Sequence, residues 1–169
     1  MARQNTMTRR GIFAAIGRVS VLFSSLEAEL EDLLCMLADP EDPMLAATLV
    51  EGVSFAKILE LLKKVVRFKD GATEGQVLRL LEISTPLRSI RNLFVHGYWD
   101  MSEELLNHDK VTVRDSKIRF QAVGTRKSWR KGTDYTVTYD DLRSYETEVM
   151  RAMKITKELL KQLRDARDT

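Results

Sequence analysis

The sequence predicts a mainly α protein, an up-and-down helical bundle with a small antiparallel β insert before the last helix. Apolar residues recur at helical spacing over most of the 169 residues. Between about residues 100 and 139 the period changes to strand-like alternation. The composition, 44% hydrophobic and 31% charged, is that of an ordinary globular chain. Its length fits one domain, residues 1–169, that can bury a real core, with 100–139 as a β-rich basic insert.

The first element reads Ile12, Ile16, Val19, Phe23, Leu26, Leu30, Leu33, Leu37, with spacing 4-3-4-3-4-3-4. This is a heptad seam, widened by Leu22 and Leu34 into a bundle-packing face. Asp39-Pro40 stops it. Asp42-Pro43 combines an N-cap with proline at the first helical position, opening a short helix that ends at Gly52. Ser54 is placed to cap the next helix, whose apolar face holds Phe55, Ile58, Leu59, Leu62 and Val66. Asp70-Gly71 breaks the chain, and Thr73-x-x-Gln76 reads as a capping box opening a further helix through Val77, Leu80, Leu81, Leu87, Ile90 and Phe94. Pro86 predicts a kink or restart, with Thr85 as the new cap.

Within the insert, Val111 and Val113 alternate with charged neighbours, followed by Ile118 and Phe120, and Asp115-Ser116 reads as a hairpin turn. Residues 124–132 read as a glycine-flanked basic loop, and 135–139 as a third strand. Asp140 or Asp141 caps the last helix, through Leu142, Tyr145, Val149, Met153, Leu159, Leu160 and Leu163.

The net charge of +2 conceals an asymmetry. Residues 27–42 hold seven acids and no Lys or Arg, whereas residues 110–132 hold eight bases against Asp115 alone. A localised basic segment of this kind is a polyanion-binding footprint. The single cysteine, Cys35, excludes an internal disulfide framework; among apolar residues it reads as a buried inert thiol. No apolar stretch reads as long enough to span a bilayer, and the N-terminal run lacks a signal-peptide core. A cytoplasmic protein without membrane association is the expectation.

Chemistry concentrates in Arg91-Asn92-Leu93-Phe94-Val95-His96-Gly97-Tyr98. Asn92 and His96, at i,i+4, share a helix face. Arg91 and His96 lie about 140° apart on an ideal helix. Gly97 suits a helix end, from which His96 is expected to turn back towards Arg91, where the negative end of the helix dipole attracts a cation.

This segment resembles the signature of the HEPN superfamily (higher eukaryotes and prokaryotes nucleotide-binding domain), in the Arg-x4-His-x-Tyr form of HEPN toxins paired with a nucleotidyltransferase antitoxin. The local match covers about eight residues, and the helical layout extends it more weakly over the chain. The strand-rich insert departs from the small toxin pattern. The resemblance implies a homodimer with a metal-independent endoribonuclease site in the cleft between subunits, acting as a toxin or defence effector. Arg91, Asn92 and His96 would be its catalytic residues, without cofactor or metal. It further implies Tyr98 as an acceptor of AMP from a partner nucleotidyltransferase.

The residue chemistry agrees with that implication. Metal-free RNA cleavage needs a proton acceptor, a proton donor and a cation for the developing phosphorane. Imidazole as a class suits the first two and guanidinium the third. Trp129 among Arg126, Lys127, Arg130 and Lys131 pairs a stacking surface with phosphate-binding cations, the composition of an RNA contact. Plainer readings stand beside these. They are a structural Arg91–His96 pair, Tyr98 and Trp99 as packing, residues 126–131 as a solvated turn, and His108 as a loop histidine. The corresponding alternatives are a catalytically inactive HEPN-like dimer that binds RNA or nucleotide, or a structural adaptor.

Overall fold

The computed structural model describes residues 9–39, 41–100, 110–115, 120–123, 126–129 and 134–168. The described helices are α1 (Arg9–Ala38), α2 (Pro43–Val50), α3 (Phe55–Val65), which continues into a 3-10 turn (Val66–Phe68), and α4 (Gly71–His96). Strands β1 (Gly97–Asp100), β2 (Lys110–Asp115), β3 (Phe120–Val123), β4 (Arg126–Trp129) and β5 (Asp134–Thr138) follow, and α5 (Tyr139–Arg167) ends the series. The chain is mainly α, with an antiparallel sheet before the last helix.

The chain divides into two compact units. One comprises Met1–Ser20 and Ser89–Tyr145, the other Val21–Arg88 and Glu146–Thr169. In the first unit, β2 is the central strand of the sheet β1-β2-β5, antiparallel to both neighbours. Val111 lies opposite Val137, and Trp99 opposite Val113. Val111 is buried with Ile12 of α1, and Ile16, Trp99 and Tyr139 pack against them. The second unit is a helical bundle built on the heptad seam. Phe23, Leu26, Leu30, Leu33 and Leu37 are all buried, as are Ile58 and Leu62 of α3, Leu80 and Leu87 of α4, and Val149 and Leu159 of α5. The seam is therefore core.

Several local expectations are corrected. Asp70, not Thr73, caps α4: its Oδ1 accepts the backbone N–H groups of Ala72 and Thr73, and Thr73 Oγ1 donates to its Oδ2. Ser54 occupies the cap position of α3 without a side-chain cap bond. At α5 the cap is Thr138, one turn before Asp141. Thr138 Oγ1 accepts from Asp141 N at 3.1 Å while Asp141 Oδ2 accepts from Thr138 N at 2.8 Å, a reciprocal capping box. α4 runs through Pro86 without a restart. Thr85 Oγ1 donates to the Leu81 carbonyl at 2.6 Å instead of capping. Pro86 and Glu82, the residue whose carbonyl proline leaves without its helical donor, are both exposed.

The strand pairing also differs. β2 pairs with β1 and β5, and β3 pairs with β4, so residues 110–121 do not form one hairpin. Four residues of the expected basic loop, Arg126–Trp129, are strand β4. Finally, α1 over Arg10–Ala38 is long and apolar enough, by length and composition, to cross a membrane. Residues 11–26 contain Arg18 as their only charge, which an expectation based on uninterrupted apolar runs overlooked.

Candidate functional site

Every candidate residue that the structure describes belongs to the first unit. Arg91, Asn92 and His96 sit on the last two turns of α4, the first two half-buried and His96 exposed. Phe94, on the same stretch, is 5% exposed and anchors it. Its ring meets Trp99 edge-on at 5.0 Å between centroids and Tyr145 of α5 at 6.1 Å. Such T-shaped pairs align a positive ring edge with a negative face, which fixes orientation as well as burying area. Burial, then the nearby Asp141 carboxylate, raises the Tyr145 phenol above its ordinary value. From sequence, Tyr145 is one apolar position of the last helix. Its role under the motif becomes visible once α5 is packed.

The junction after His96 has no loop. His96 is the last residue of α4 and Gly97 the first of β1. His96 therefore stays helical, and its backbone direction remains about 140° from that of Arg91. Gly97 is required by space. A Cβ there would lie 2.6 Å from Val113 Cγ1 and closer still to the Leu93 carbonyl oxygen. The left-handed conformation that often favours glycine at helix ends occurs instead at Gly52, with φ 72°.

β1 alternates inward and outward, with Trp99 inward and Tyr98 and Asp100 outward. Tyr98 is 65% exposed and stands in register with Arg114 of β2. The Trp99 indole N–H is buried and meets no hydrogen-bond partner among the described residues. Of the basic segment, Arg126, Lys127 and Trp129 fall on β4, where Trp129 pairs with Phe120 and Arg126 with Val123. Arg130, Lys131 and His108 lie outside the described residues. Among the described residues, no group of three His, Cys, Asp or Glu side chains is placed to hold a metal ion.

The arrangement offers an exposed imidazole and an amide one turn apart, a half-buried guanidinium on an adjoining helix face, and a strand carrying an accessible phenol. Beneath them, three aromatic rings hold the helix–strand junction. No protein-family model, curated protein or solved structure matches this chain.

Proposed function

We propose that the protein is a dimeric, metal-independent endoribonuclease of the HEPN type. The observation that carries this reading is the placement of Arg91, Asn92 and His96 on the final turns of α4, with His96 exposed at the helix end. The need for two proton-transfer groups supports the dimer. One chain carries one motif histidine, and a two-fold axis near the end of α4 would bring together two imidazoles and two guanidiniums.

In the proposed reaction one imidazole takes the proton of a ribose 2′-hydroxyl, whose oxygen attacks the adjacent phosphorus. The bond to the 5′-oxygen breaks, and a protonated imidazole returns a proton to that leaving oxygen. The products are a 2′,3′-cyclic phosphate and a 5′-hydroxyl. Arg91 supplies two planar donors to the phosphoryl oxygens as negative charge builds on them. Asn92, on the face of His96, orients the ring or the phosphate through its amide. The basic segment that includes Arg126, Lys127 and Trp129, with Arg130 and Lys131 following in sequence, is assigned to RNA contact. Exposure of Tyr98 supports its assignment as the modification site for a nucleotidyltransferase partner.

The test compares an RNA oligonucleotide with its 2′-O-methyl counterpart of the same sequence. Cleavage of the first and complete resistance of the second are expected. Equal cleavage of both would exclude attack by the 2′-hydroxyl.

A further inference from the structure

We propose that a groove between the first turns of α4 and the second half of α5 is a binding site for a small phosphate monoester. The groove has a volume of about 340 Å3, near the lower end of ligand-site sizes (about 300–1,000 Å3). It therefore suits a compact organic phosphate. Leu159, 3% exposed, and the half-buried Ile155 give it an apolar floor. Arg79 of α4 and Arg151 and Lys154 of α5 stand around that floor, with the amides of Gln76 and Gln162.

Charge selects the ligand class. The lining has three cations and one carboxylate, Glu158, two positive charges in excess within the lining itself, with Glu148 outside it as the exposed partner of Arg151. A phosphate monoester carries roughly −1.5 to −2 at pH 7, against about −1 for a diester. Two guanidinium forks match the geometry of phosphate oxygens, and the apolar floor suits the organic part of the ester. Elsewhere, Lys57 and Lys64 of α3 both bind Glu60, and Lys157 of α5 binds Glu29. At the groove, Arg79, Gln76 and Gln162 make no hydrogen bond or ion pair among the described residues. The pairs that do exist are long and exposed, Lys154–Glu158 at 4.0 Å and Arg151–Glu148 at 3.7 Å, and yield readily to a competing dianion. All the lining residues belong to the second unit, whereas the motif of α4 belongs to the first, so this site does not rest on the nuclease reading.

Titration of the full chain with phenyl phosphate, followed by nitrogen–proton NMR correlation spectra, tests the assignment. Saturable shifts of the Gln76 and Gln162 side-chain amides and the Arg79 Nε–H are expected. Arg79→Ala and Arg151→Ala should each weaken binding roughly tenfold or more with unchanged melting temperature, because both side chains are exposed. Glu158→Gln should tighten binding by removing the one carboxylate of the lining. Methyl phenyl phosphate, a diester, should bind more weakly than the monoester. Absence of saturation, shifts confined to the 110–132 segment, affinity unchanged in both arginine variants, or equal affinity for the diester would overturn the proposal.

Discussion

His96 and Gly97 are adjacent, yet each is constrained for a different reason. His96 is an exposed residue at the last helical position. His96→Gln is therefore expected to change stability by less than about 0.5 kcal/mol. Its cleavage rate should fall by about 10²–10⁴, the usual contribution of a general acid or base. Thermal melting beside initial-rate assays on the same preparation checks both. Gly97 has the opposite signature, because a methyl group there meets the Leu93 carbonyl and Val113. Gly97→Ala should cost about 1–3 kcal/mol through forced displacement of packed atoms. It should also lower activity by moving the start of β1 against the end of α4. A Gly97→Ala protein with unchanged melting temperature would contradict the close approach. Cys35 is a further residue-level case: burial, then the charges of Glu31 and Asp32, pushes its thiol up. It should resist thiol reagents at neutral pH until the protein unfolds.

At the scale of elements, helix ends carry the measurable consequences. Thr138 and Asp141 satisfy each other's backbone N–H groups at the start of α5, so Thr138→Ala should cost about 1 kcal/mol, read from denaturant midpoints. On α3, hydrogen bonds from Lys64 and then Lys57 hold the Glu60 carboxyl at about 2, below its ordinary 4.5. A depressed folded-state value contributes stability above the unfolded value and loses it as pH falls. Glu60 should therefore contribute to acid unfolding between about pH 4.5 and 2. Glu60→Gln should flatten the stability profile across that window, and an unaltered profile would argue against both lysine contacts. Helix positions were legible in the sequence because burial follows the 3.6-residue period, as in Phe23, Leu26, Leu30 and Leu33. Caps were less legible, because Asp70, Thr73, Thr138 and Asp141 are all capable acceptors and only the backbone path selects among them. Strand partners were least legible. The alternation of Val111 and Val113 identifies a strand, but its pairing with both β1 and β5 depends on contacts distant in sequence. The same limit applies at the candidate site. Arg91, Asn92 and His96 could be read from their order, whereas the aromatic support from Trp99 and Tyr145 required strand parity and helix packing.

For the whole molecule, the central claim is that two copies assemble one RNA-cutting site from the ends of their α4 helices. Light scattering should accordingly give twice the 19.4 kDa chain mass. Phe94→Ala, which removes the ring beneath the motif, should cost about 3–5 kcal/mol and abolish activity through the fold. That loss contrasts with the folded but inactive His96 variant. The most direct measurement is cleavage of mixed cellular RNA in excess EDTA by wild type, beside folded, dimeric His96→Ala and Arg91→Ala. The account predicts wild-type fragments ending in 2′,3′-cyclic phosphate and their loss in both variants. Absence of cleavage by unmodified wild type, or undiminished cleavage by either variant, would contradict it.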